Sequence, residues 1–121
     1  VLDVLPVEHE VVQARWSGGA MYINVLDLLP KKLDVENGTI YGSQGDVLII
    51  DFRRPGYKYT GGGSQEFFIV YDRKGAQFRY FDGPEICNLF AKITNNLDSL
   101  QKVGETVWKT GVKKAIIRCA K

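Results

Sequence analysis

The sequence predicts a mainly β fold, a small closed antiparallel barrel with one or two helices, and three observations predict it. Between Glu36 and Tyr71 lie two short apolar runs, Val47-Leu48-Ile49-Ile50-Asp51-Phe52 and Phe67-Phe68-Ile69-Val70-Tyr71, set off by glycine-bearing turns as buried strands are. Further short runs on either side bring the total to roughly seven strands. One segment alone, residues 97–109, carries a convincing helical period, so the crossover helices of a parallel sheet are missing. Closing an antiparallel sheet on itself then removes its exposed edges.

Taken in order, residues 1–6 read as the last turn of a helix, and the chain does not open on methionine, so upstream residues are expected. Residues 11–16 are β-rich and partly alternating, Ser17-Gly18-Gly19 makes a turn, and residues 20–26 form a second strand, together a hairpin. Residues 27–37 read as a loop, with Asn37-Gly38 turning into Thr39-Ile40-Tyr41. After the two central strands, Asp72-Arg73-Lys74-Gly75 is a hairpin turn, and residues 76–81 alternate polar and aromatic side chains. Asp82-Gly83-Pro84 turns again, residues 87–94 alternate, and Asn95-Asn96 breaks the run. In the helix, Leu97, Leu100, Val103, Val107 and Trp108 mark one face, Gly104 costs about 1 kcal/mol relative to alanine, and Gly111 is the C-terminal cap. Residues 115–119 close the chain as a final strand.

A chain of 121 residues makes one domain, spanning residues 1–121. Its net charge of +2 leaves no electrostatic footprint for nucleic acid, and Lys113, Lys114 and Arg118 read as a solvated basic spot. No run approaches the ~18 apolar residues of a membrane span. Cys87 and Cys119 are widely spaced and set among apolar residues, which suits a reducing cytoplasm, although sequence leaves a bridge between them open. No cofactor is implied, and no metal is either, because His9 is the one histidine and lies in a charged segment.

Several motifs in shared order resemble the cyclophilin superfamily over roughly the last two-thirds of the chain. Glu36-Asn37, then Gly42-Ser43-Gln44-Gly45 and the strand at residues 47–51, is similar to the cyclophilin order of a Glu-Asn pair, a glycine turn and a central strand. Ser64-Gln65-Glu66-Phe67-Phe68-Ile69 resembles the family's Ser-Gln-Phe-Phe-Ile segment with Glu66 added. Phe81-Asp82-Gly83, Leu89-Phe90-Ala91-Lys92-Ile93 and Lys113-Lys114-Ala115-Ile116-Ile117 follow in family order, and the short loops look most like the small microbial cyclophilin-like proteins. The resemblance implies a cyclophilin-like β-barrel, with one more strand and the rest of a helix upstream of Leu5-Pro6.

It also implies a site. Prolyl isomerases of this superfamily pair a hydrophobic proline pocket with an arginine and a glutamine, and they work by positioning and electrostatics on a twisted amide. By that resemblance Gln65 matches the glutamine and Phe67 or Phe68 the pocket aromatic, while Cys87 falls near the pocket histidine. The arginine segment falls on Tyr22-Ile23-Asn24, which puts asparagine where the guanidinium belongs, and leaves Arg54 as the displaced replacement. Apart from any resemblance, Trp16, Tyr22, Gln65, Phe68, Tyr71, Phe81 and Asn88 supply aromatic walls and amides on separate strands, the make-up of a small-molecule pocket or of a plain core. Glu66 beside them is a proton acceptor or an anchor for an amine. Gly61-Gly62-Gly63-Ser64 reads as a flexible hairpin loop rather than an anion cradle. The expected function is binding of a small molecule or short peptide by Trp16, Tyr22, Gln65, Phe68, Tyr71 and Asn88. The alternatives are prolyl isomerisation by Gln65, Phe68 and Arg54, and an accessory or interaction subunit of an enzyme complex that covers an exposed strand by pairing with a partner; a homo-oligomer is also allowed.

Overall fold

The computed structural model describes residues 6–14, 16–26, 36–51, 65–80 and 83–118. Its elements in chain order are β1 (Val7–Gln13), β2 (Ala20–Leu26), β3 (Gly38–Thr39), β4 (Tyr41–Gly42), β5 (Asp46–Asp51), β6 (Gln65–Val70), β7 (Ala76–Gln77), β8 (Arg79–Tyr80), β9 (Gly83–Pro84), β10 (Cys87–Lys92), α1 (Leu97–Thr110) and β11 (Val112–Ile117). The main sheet is antiparallel and runs β11-β1-β2-β6-β5-β10-β3, while β4 pairs with β7 and β8 with β9. The two apolar runs of the sequence lie side by side in its middle, with Leu48 opposite Phe68 and Ile49 opposite Phe67.

Mainly β architecture with a late helix agrees with the sequence, but the expected barrel closure is not found. Among the described residues β11 pairs only with β1 and β3 only with β10, so the sheet has two ends. β3 is two residues long, too short to carry a ladder round, and α1 supplies by layering the burial that closure would otherwise supply. Each face has its own core. Under α1, Val11, Met21, Ile23, Ile49, Phe67, Tyr71 and Val107 pack with Leu100 and Ile117. On the other face Ala14, Ala20, Leu48, Ile50, Phe68, Val70, Phe78 and Cys87 pack with Tyr22 and Leu89. Period-two alternation along β6 explains the division, since Phe67 and Phe68 are neighbours in sequence and point to opposite faces.

Element boundaries differ from the sequence reading for local reasons. β1 begins at Val7 and ends at Gln13, so the charged segment around His9 is an exposed stretch of strand paired with β11, and Trp16 stands in the turn. The strand expected over residues 76–81 breaks at Phe78, whose N–H donates to the Ile40 carbonyl at 2.7 Å while its ring enters the core. β10 stops at Lys92 after a register shift between Leu89 and Ala91. β11 starts three residues early and takes in Lys113 and Lys114. The readings that place a helix turn in residues 1–5, a loop in residues 27–35, and Phe81, Arg54, Gly61, Gly62, Gly63, Ser64 and Cys119 in their roles lie outside the described residues.

Within α1, Leu97, Leu100, Gly104 and Val107 turn inward at spacings of three, four and three, whereas Val103 and Trp108 are exposed. Gly104 is there because a Cβ on it would stand 2.0 Å from Cγ of Tyr71. The tyrosine ring lies directly on helix backbone, and the modest propensity cost of glycine is outweighed by that contact. Gly111 caps the helix at φ 92°, its N–H donating to the Val107 carbonyl at 2.8 Å.

Candidate functional site

The β1–β2 hairpin and the C-terminal half of α1 border a cleft of about 1180 Å³. Alternation at the end of β1 builds it from two sides. Val12 and Ala14 face the side that α1 leaves open, together with Tyr22, Glu66 and Phe68, while Gln13 faces the helix side with Tyr71, Gln101 and Glu105. Tyr22 and Phe68 sit opposite one another in register and stack with centroids 5.9 Å apart, and Phe68 leans on Phe78 at 5.6 Å. Glu66 is buried beside them on the same side of β6. Trp16, 55% exposed, and Trp108, 65% exposed, also line it.

Hydrogen bonds fix the frame. The Tyr71 hydroxyl donates to Oε1 of Gln13 at 2.9 Å, and Nε2 of Gln13 donates to the Gly18 carbonyl, which ties the hairpin turn to the helix side. Ser17 Oγ accepts from the Arg79 N–H at 3.1 Å, which fastens β8 beneath the turn. Gln44 donates to the Tyr71 carbonyl at 3.0 Å, and Gln101 accepts from the Arg73 N–H at 3.0 Å and donates to Glu105 at 3.0 Å. Burial pushes the Tyr71 hydroxyl above its ordinary pKa of 10.0, and the Asp72 and Glu105 carboxylates add to it. Neutral Tyr71 is therefore a donor held in place rather than an acid.

Of the six residues in the sequence-derived binding set, Trp16, Tyr22, Phe68 and Tyr71 border this cleft. Gln65 does not join them. It faces the α1 side of β6, fully buried, and donates to Oδ2 of Asp51 at 3.2 Å, so Gln65 and Phe68 are separated by the sheet itself. Asn88 lies on β10, across β5 from β6, and its Oδ1 accepts from the Glu36 N–H at 2.9 Å. Cys87 is wholly buried in the second core. His9, the chain's one histidine, is exposed on β1 away from the cleft lining, so no imidazole serves the cleft as a base.

Gln13, Arg79 and Glu105 are absent from the sequence-derived site residues, and Trp108 reads in the sequence only as part of the helix's apolar face. For Trp108 a signal existed: it directly follows Val107, and adjacent helix positions are about 100° apart, so both cannot face one core. Gln13 had none, because its part depends on a tyrosine 58 positions away.

Residues 1–118 match the model of a protein family described as "Protein of unknown function (DUF3830)". The chain belongs to this family. No curated protein matches it. The DUF3830 match takes in every residue of the cleft lining, from Val12 to Gly111, so hairpin, central strands and helix all lie inside the family's span. No helix among the described residues of this DUF3830 chain is long and apolar enough to cross a membrane.

Proposed function

We propose that the chain is a binding protein whose cleft between Trp16 and Trp108 holds a small molecule or a short peptide, and that it acts in the cytoplasm. The observation that carries this reading is the exposure of both rings in the lining of one cleft. Leaving two indoles more than half exposed forgoes burial of large apolar groups, and a bound ligand is what such rings are suited to cover. The Tyr22–Phe68 stack gives an apolar floor, and Arg79, Lys109, Asp72 and Glu105 give polar anchors of both signs. The cyclophilin-like kinship read from motif order is part of the proposal, as a barrel-related scaffold that binds rather than isomerises. Isomerisation is the weaker reading, since Gln65 is engaged by Asp51 on the far side of the sheet from Phe68.

The chain has two tryptophans, and both border the cleft, so selectively excited tryptophan fluorescence reports on this site. Benzoate, benzamide and acetyl-Ala-Pro-amide titrated into the protein are the first probes. A saturable change with at least one of them, lost in Trp16→Ala and Trp108→Ala, is the expected result; a flat response to all of them, with the protein folded, removes this reading.

A further inference from the structure

Trp16, Tyr22, Phe68, Tyr71 and Trp108 line the cleft, and aromatic faces carry the negative side of a quadrupole, which draws cations rather than anions. Two carboxylates stand on the helix side of the same lining. Asp72 comes from the turn between β6 and β7 and Glu105 from α1, and both act on the buried Tyr71 hydroxyl, so two elements bring negative charge to one spot. Trp108 follows Glu105 by three positions, which makes indole and carboxylate neighbours on the helix surface. Among the described residues neither carboxylate enters an ion pair. Glu105 accepts from the Gln101 amide at 3.0 Å and Asp72 from the Lys74 N–H at 3.0 Å. Lys109 lies four positions beyond Glu105, the spacing at which such pairs form on a helix, yet the two do not pair. Arg73, next to Asp72, is paired with Asp98 at 3.3 Å.

Resting on the binding reading of this cleft, we propose that its ligand is an organic cation, an ammonium group carried on an apolar body. The ammonium lies against Asp72, Glu105 and the Trp108 indole, and the apolar body turns to the Tyr22–Phe68 stack. Arg79 and Lys109 line the cleft as well and narrow the place where such a charge fits. Lys109 is one cation against two carboxylates, so the helix-side lining keeps a net negative charge. Arg79 belongs to β8, which Ser17 fastens beneath the hairpin turn, and it confines the ammonium to the helix side. An anionic ligand would instead be drawn towards Arg79 and away from both carboxylates.

Calorimetric titration of the full chain with ligands that share a phenyl ring and differ in charge tests this. Benzyltrimethylammonium and benzylammonium are the cations, benzamide is the neutral comparison and benzoate the anion. Both cations are expected to bind about 10-fold more tightly than benzamide, with benzoate the weakest. Added salt weakens the cations and leaves benzamide unchanged. Glu105 is exposed, and glutamine in its place keeps the acceptor for Gln101, so Glu105→Gln leaves the fold intact. That variant should weaken both cations about 3-fold and benzamide not at all. Benzamide or benzoate binding as tightly as the cations overturns the proposal while the binding reading stands. So do cation affinities that Glu105→Gln leaves unchanged. Saturable binding of none of these ligands to the folded protein overturns it too, and the binding reading falls with it if acetyl-Ala-Pro-amide also fails to bind.

Discussion

Tyr71 joins its surroundings at both ends of the side chain. Its ring occupies the space that a side chain at position 104 would fill, and its hydroxyl holds Gln13 and through it the hairpin turn. Burial keeps the phenol neutral, and because its folded-state pKa lies above 10.0, the folded protein holds this proton more tightly than the unfolded chain does. The stability that results is fully present below about pH 10 and is lost as pH rises through the folded value. Tyr71→Phe should therefore lose about 1 kcal/mol at neutral pH, from the missing hydrogen bond, yet fall less steeply as the solution becomes alkaline. Urea unfolding of both proteins at neutral pH and above pH 10 measures this, and parallel curves would show that Tyr71 is not the group responsible. Sequence placed Tyr71 at the end of a strand and among the ligand candidates. Its pairing with glycine on a helix is legible only in three dimensions, because Gly104 looks like a defect until its neighbour is known.

Helix α1 divides its apolar residues between two tasks. Val107 is wholly buried in the core that includes Phe67 and Ile23, whereas Trp108 faces the cleft. Val107→Ala should cost about 2 kcal/mol in unfolding free energy, as truncation of a packed aliphatic group does. Trp108→Ala should change stability by no more than about 0.5 kcal/mol and act on ligand binding instead. Denaturant titration of the two variants is decisive: equal losses would mean that the indole packs into the fold, and the binding reading would lose one of its two walls. At this scale the sequence was informative. The two central strands, the β1–β2 hairpin, the helix and its Gly111 cap were legible because each follows from a local period or turn residue. What stayed hidden were the breaks, at Phe78 and beyond Leu89, where one side chain or one extra residue serves a contact made far away in the chain.

Over the whole molecule, the difference between an open sheet and a closed barrel decides where stability resides. Local pattern cannot separate the two, since both need the same alternating strands; the choice is made by which strands meet at the ends, a property of no single segment. In the open arrangement β6 and β5 lie between strands on both sides and under a core on each face, with Leu48, Ile50, Phe67 and Val70 wholly or almost wholly buried. β3 and the far half of β10 form the other end, where Phe90, Ala91 and Lys92 are exposed. Amides of Leu48, Phe67 and Phe68 whose bonds run within the central ladders should exchange only through global unfolding. Those of Ala91 and Lys92 should exchange through local fraying, at least ~100-fold faster. A closed barrel has no such gradient, because each strand carries a neighbour on both sides. Hydrogen exchange read residue by residue by NMR distinguishes them: a steep fall in protection from β6 to β10 fits the open sheet, and uniform protection around all the strands would mean that its ends are joined.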